Sequence, residues 1–221
     1  MHYGYIGLGN LGANCAACLR KAGMEVSVTD LNKDTASGVL DLGCTWADTT
    51  EDVAARVDHV ITCLPSPTVS EQVLDRMLPV MRKGSHWIEM STLGRDEMLA
   101  FAKKAAAYDI RAMELPVTGG VHLAAQGKIT MLAGGDKDMF DLHLPALQAM
   151  GDQVFHMGPL GSAAIIKVIT NMLSVIHLIA GGDSLMLSML VVLYLGQSWL
   201  ASISSSGNSF VHETEGALVL N

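Results

Sequence analysis

The chain has 221 residues, of which 50% are hydrophobic and 16% charged, with a mean hydropathy of +0.34. That composition excludes general disorder, which needs low hydrophobicity and dense charge. A formal charge of −8, without any basic block, speaks against a nucleic-acid binder. Cys15, Cys18, Cys44 and Cys63 lie scattered in the first third with neither metal-ligand nor disulfide-framework spacing, so a reducing cytoplasm is expected. Residues 1–9 lack the charged start and long apolar core of a signal peptide.

Along the chain, strand and helix patterns alternate. Residues 2–7 read as a strand, a Gly-rich turn follows, and Ala13–Lys21 reads as a helix. Strands are expected at 25–29, 58–64, 85–90, 111–113, 128–133 and 153–156. Helices are expected at 32–42, 67–80, 100–108 and 137–149. This order predicts an α/β fold, a Rossmann-like doubly wound, mostly parallel sheet over residues 1–160. Residues 161–196 then read as one long interdomain helix, in which Gly181-Gly182 is the single place for a kink or boundary. Residues 197–221 begin an all-α domain too short to build its own core. The stretch 184–195 (SLMLSMLVVLYL) is the most apolar of the chain. Spanning a bilayer takes ~20 apolar residues, so this segment reads as a buried helix between domains or subunits, not a membrane span.

Four motifs carry chemistry. Gly7-Leu8-Gly9-Asn10-Leu11-Gly12 directly follows a strand and opens a helix. Gly7 permits the tight turn, Gly9 lets a pyrophosphate reach the backbone, and Gly12 lets the helix pack closely on the strand. The unpaired N–H groups of the helix start would face the phosphates. Asp30 ends the second strand, where a carboxylate can accept both ribose hydroxyls of NAD and repel a 2′-phosphate. Leu31 and Asn32 follow it without an Arg, so NAD is favoured over NADP, although Lys33 is near. Thr118-Gly119-Gly120 offers a hydroxyl and two unencumbered N–H groups, a small cradle for an anion or an ordinary turn. Lys167 and Asn171 stand one turn apart on one face of the apolar helix. Burial there would lower the lysine's pKa and suit it to proton exchange with an alcohol oxygen. No histidine pair has metal-ligand spacing, so no metal is expected.

Together these segments resemble the β-hydroxyacid dehydrogenase family, which includes 3-hydroxyisobutyrate dehydrogenases and tartronate semialdehyde reductases. YIGLGNLGANCAACL is similar to its cofactor signature, ELPVTGGVHLAAQGKITMLAGGD to its substrate loop, usually DAPVSGG, and GPLGSAAIIKVITNM to its catalytic segment. CLPSP (63–67) and MSTLG (90–94) resemble its loops beside the nicotinamide. The resemblance implies Lys167 as general acid/base and Asn171 as the residue orienting lysine and substrate. It implies Thr118, Gly119 and Gly120 at the substrate carboxylate, Phe210 in the substrate pocket, and Leu64, Pro65 and Thr92 along the cofactor.

The sequence departs from the pattern at Thr170, which replaces the first Asn of a usual pair, at the bulky His122, and at 188–195, which lacks the expected charges. Against the family pattern it also stops several dozen residues early. The leading expectation is an NAD-dependent oxidoreductase for a small 3-hydroxy acid, self-associating, without nucleic-acid or membrane partners. The alternative is a dinucleotide-binding module with impaired catalysis.

Overall fold

The computed structural model describes residues 1–219 and divides the chain into two compact units, Met1–Lys167 and Val168–Asn221. In the first unit a strand, β1 (His2–Ile6), leads into helix α1 (Gly12–Lys21), then β2 (Glu25–Thr29), α2 (Ser37–Asp41), β3 (Thr45–Trp46), α3 (Thr50–Arg56) and β4 (His59–Thr62). There follow α4 (Pro67–Met77), β5 (His86–Glu89), α5 (Arg95–Ala106), β6 (Arg111–Glu114), β7 (Val117–Thr118), α6 (Val121–Ala125), β8 (Ile129–Gly134), α7 (Lys137–Met150) and β9 (Gly151–Gly158). A single helix, α8 (Ser162–Leu190), begins in the first unit and continues into the second, which adds α9 (Leu195–Ile203) and α10 (Phe210–Val219).

The strands form one sheet in the order β3-β2-β1-β4-β5-β6-β8-β7, with β9 also paired to β8. β1 through β6 are all parallel, and β8 runs antiparallel to β6 and β7. The order 3-2-1-4-5-6 is that of a doubly wound dinucleotide fold, so the expected α/β class holds. Its switch point lies between β1 and β4, where a crevice must open at the carboxyl ends of the strands.

The strand sequences explain why both faces are covered. Tyr5, Ile61 and Ile88 enter one apolar cluster together with Leu19 of α1 and Leu147 of α7. Their chain neighbours Ile6, Val60 and Trp87 enter the other, with Val53 of α3, Leu74 of α4 and Phe101 of α5. Successive side chains of a strand point to opposite faces, so a strand apolar at every position needs a helical layer on each. The four cysteines are free thiols, with Cys15 and Cys44 buried and Cys18 and Cys63 half-buried.

Three local readings are corrected. The segment 45–56 holds a strand and a helix that periodicity does not reveal, because β3 is two residues long. The signal for α3 is its cap: Thr49 Oγ1 accepts the N–H of Asp52 at 3.0 Å. The helix after Ser91 starts at Arg95, not 100, capped by Glu97, whose carboxylate accepts the N–H of Gly94 at 2.8 Å. The long helix runs through Gly181-Gly182 without a break but stops at Leu190, short of the expected 196, where Val192 at φ +61° turns the chain before α9. A Cβ at 181 would sit 2.6 Å from Nδ1 of His212, so the missing side chain admits the buried His212 ring of α10.

The expected burial of this helix is not met within the described residues. Val168, Ile176, Ile179, Met186, Leu187 and Leu190 are all exposed, because nothing described packs over that face. By length and composition alone, α8 is also long and apolar enough to cross a membrane.

Candidate functional site

The crevice at the switch point is a cavity of about 1140 Å³. Gly7, Gly9, Asn10, Leu11 and Gly12 form its floor, Asp30 and Leu31 one end, and Leu64, Pro65, Ser91 and Thr92 the other. The sequence-predicted cofactor residues are thus brought together, all within the first unit. Leu8 is the exception: its side chain is buried in the core and it does not line the cavity.

The backbone around the turn accounts for two of its three glycines. Gly7 sits at φ +97°, and a Cβ there would overlap the Cys63 carbonyl oxygen where β1 and β4 part. A Cβ on Gly12 would overlap the Gly7 carbonyl, so α1 can approach β1 only because both positions are bare. A Cβ on Gly9 would meet no protein atom within 4 Å. Space beside that backbone is what a pyrophosphate needs to reach the N–H groups. The residues present therefore fit a dinucleotide.

Asp30 does two jobs. Its Oδ2 accepts the N–H of Leu8 at 2.6 Å and its Oδ1 accepts that of Asn32 at 3.0 Å. The carboxylate thereby fastens the Gly-rich turn to the end of β2 before any ribose arrives. Leu31, the next residue, is completely exposed at the mouth of the cavity. The ammonium of Lys33 lies 5.4 Å from the centroid of the Trp46 ring.

The opposite wall is built by a hydrogen-bonded relay. Leu64 N–H donates to Ser91 Oγ at 2.7 Å, and Ser91 N–H donates to Glu89 Oε1 at 2.7 Å. The loops after β4 and β5 are therefore locked together, which fixes Leu64, Pro65 and Thr92 along the cavity. Glu89 is completely buried, and burial pushes its carboxyl up to about 7. Among the described residues its Oε2 has no hydrogen-bond partner. Sequence gives neither Ser91 nor Glu89 a role, since nothing there pairs Glu89 with a partner; the MSTLG segment that contains Ser91 is the available signal.

Thr118 ends β7, at the end of the path through the sheet, and Gly119 and Gly120 follow it at φ +118° and φ +83°. They do not line the dinucleotide cavity, although the adjacent Val117 does. Lys167 lies in the second turn of α8, half-buried, and burial lowers the pKa of its ammonium.

Glu114, at the end of β6, fixes where that helix begins. Its Oε1 accepts the N–H groups of Gly161 at 2.6 Å and Ala163 at 2.8 Å, and its Oε2 accepts that of Ala164 at 3.1 Å. A carboxylate satisfying three orphan donors also complements the positive end of the helix. Gly134 beside it must be bare, since a Cβ there would overlap Glu114 Oε1. Sequence reasoning quoted Glu114 at the head of its motif without giving it a role; the acidic residue opening DAPVSGG was the signal. Asn171 and Phe210 belong to the second unit, where both are exposed.

A protein-family model described as the NAD binding domain of 6-phosphogluconate dehydrogenase matches residues 2–158. The 3-hydroxyisobutyrate dehydrogenase of Drosophila melanogaster is 32% identical over 186 residues, 84% of this chain and 57% of that protein. The chain belongs to the β-hydroxyacid dehydrogenase family. Other members of the family are similar as well. The NAD-dependent L-serine dehydrogenase of Pseudomonas aeruginosa is 31% identical over 83% of this chain and 62% of its own. Among solved structures, a 3-hydroxyisobutyrate dehydrogenase from Salmonella typhimurium superposes with a TM-score of 0.90 at 26% identity, covering 99% of this chain and 78% of that one. This β-hydroxyacid dehydrogenase-family chain spans less than two thirds of the length of the curated relatives it matches. Its first unit is an NAD(P)-binding domain.

Proposed function

We propose that this chain acts as an NAD-dependent oxidoreductase on a small 3-hydroxy acid, of the 3-hydroxyisobutyrate or glycerate/tartronate semialdehyde kind, with Lys167 as its general acid/base. The observation that carries the reading is the pairing of a complete dinucleotide crevice with a half-buried lysine on a helix anchored by Glu114. Bound NAD would supply the hydride acceptor. Lys167 would take the hydroxyl proton at Nζ in oxidation and return it in reduction, a role helped by burial that favours the neutral amine. Asn171 would orient lysine and substrate. Thr118, Gly119 and Gly120 would bind the substrate carboxylate, so that orientation supplies much of the rate. Phe210 is assigned to the substrate pocket by the family resemblance.

NAD over NADP is supported by Asp30 beside the fully exposed Leu31, and by the engagement of Lys33 with Trp46. A 2′-phosphate would meet the Asp30 carboxylate there, and Arg76, which lines the same cavity, is engaged by Glu51. The four free thiols accord with a reducing compartment, and we place the protein in the cytoplasm. We read the uncovered apolar face of α8 as one that meets protein through self-association, since Asn171, His177 and Asp183 interrupt its apolar run.

The test is Lys167→Ala. Turnover on a panel of 3-hydroxy acids should be lost while the calorimetric affinity for NADH stays within about twofold. Surviving turnover would remove Lys167 from the mechanism. The second reading is a dinucleotide-binding module with impaired catalysis, for which the crevice within the first unit would suffice. Turnover by the chain as it stands would exclude it.

A further inference from the structure

We propose that His59, His86 and His143 form a binding site for one divalent transition-metal ion of the zinc class, at the end of the sheet opposite the cofactor crevice. His59 is the first residue of β4 and His86 the first of β5, and the parallel register sets them side by side. His143 enters from α7. One ring nitrogen from each of the three lies within 4.8 Å of the others. The rings of His59 and His86 stack at 4.8 Å, and His143 stands edge-on to both at 4.7 and 5.1 Å. Leu64 and Ser91 of the crevice follow the carboxyl ends of these same strands, so the two sites are separated by the length of the strands.

Hydrogen bonding accounts for only part of the cluster. His86 Nδ1 and His143 Nε2 are 2.8 Å apart, and His143 Nδ1 lies 2.9 Å from the Tyr3 hydroxyl. His59 bonds to neither ring; it accepts the backbone N–H of His86 at 3.2 Å. A third imidazole, drawn to within 4.8 Å of two others without a hydrogen bond to either, is what a shared ligand would organise.

The chemistry of the donors selects the ion. Three imidazoles with no carboxylate or thiolate among them suit zinc, cobalt, nickel or copper, whereas magnesium and calcium take oxygen ligands. Three protein ligands leave a fourth tetrahedral position for water. Zn–N bonds of ~2.0–2.1 Å put tetrahedral ligand nitrogens about 3.3 Å apart, close to the 2.8 Å between His86 and His143. The half-exposed His59 faces the way in, and rotation of its ring closes the widest gap at the expense of a long hydrogen bond.

An outer shell is already present. The Tyr3 hydroxyl can donate to Met1 Sδ, 3.3 Å away, and so accept a proton from His143 Nδ1. That tautomer leaves Nε2 of His143 free for the metal. The proton now shared between His86 and His143 would move to a nitrogen facing away from the ion, so binding releases none. His86 and His143 are buried and His59 is half-buried, so the donor nitrogens are held away from bulk water. Asp58 and the N-terminal amine act on His59, and Arg111 and Asp138 on His86.

The experiment titrates the chelator-treated full chain with Zn²⁺ by calorimetry and with Co²⁺ by absorption. One equivalent of Zn²⁺ should bind and raise Tm, and Co²⁺ should give visible ligand-field bands without a thiolate charge-transfer band. His59→Asn, at the most accessible of the three positions, should weaken Zn²⁺ binding at least ~10-fold while leaving NADH affinity unchanged. No stoichiometric binding to folded protein, unchanged affinity in His59→Asn, or a thiolate band that places the ion on cysteine would each overturn the proposal.

Discussion

Glu114 accepts the backbone N–H of Ala163 at 2.8 Å, joining the last residue of β6 to the first turn of α8. The same carboxylate serves Gly161 and Ala164, so one side chain sets the start, and hence the rotational phase, of the helix that carries Lys167. Replacing Glu114 by Ala strands three donors in a buried place. Charge-assisted hydrogen bonds contribute about 1.5–3 kcal/mol each, so we expect a loss of at least ~3 kcal/mol in urea unfolding. Glu114→Gln keeps an acceptor and should recover part of it.

Gly12→Ala should abolish NADH binding in calorimetry and lower Tm, because the new Cβ overlaps the Gly7 carbonyl and forces α1 away from β1. Gly9→Ala is the informative companion. Its Cβ meets no protein atom, so stability should hardly change, while dinucleotide affinity should fall ~10-fold or more.

Asp30→Ser should narrow the preference for NADH over NADPH, measured as the ratio of their dissociation constants, by roughly tenfold. The absolute affinity for both should fall as well, since Leu8 loses the acceptor that holds the Gly-rich turn.

Two buried sets act in opposite directions on the pH dependence of stability. Glu89 is raised from 4.5 to about 7 by burial, so the folded state holds a proton that the unfolded chain has released. Its stabilising effect is full below 4.5 and is lost as pH rises towards 7. His86 and His143 are depressed from 6.5 to about 4 and about 3, so the unfolded chain takes up protons first and stability falls as pH drops below 6.5. Glu89→Gln separates the two. It should stabilise the protein by up to ~3 kcal/mol at pH 8, and the gain should shrink steadily towards pH 5. A gain independent of pH in denaturant titrations would show that Glu89 is ionised in the folded state throughout.

The cofactor crevice was readable because its glycines, Asp30 and the loops after two strands are local signals set at strand ends. The doubly wound, mostly parallel class followed for the same reason. What stayed hidden depends on distant partners. Glu114 meets α8 across about fifty residues, and the Glu89–Ser91–Leu64 relay ties two loops that sequence treats separately. His59, His86 and His143 share no spacing that marks them; strand register and one helix bring them together. Gly181 read as a helix breaker because its partner, His212, lies in another helix. The apolar run of α8 was recognised, but the sequence pattern alone did not reveal that its face stays bare within the described residues.

The thiols give the fold a clock of its own. Cys15 and Cys63 flank the buried Tyr5, and burial pushes both up to about 12, so neither supplies thiolate to an alkylating reagent at neutral pH while the sheet is closed. Cys63 also lines the cofactor crevice. Labelling at that position therefore reports how often β1 and β4 part, with no engineered probe, and saturating NADH should slow it in proportion to the stability the dinucleotide adds.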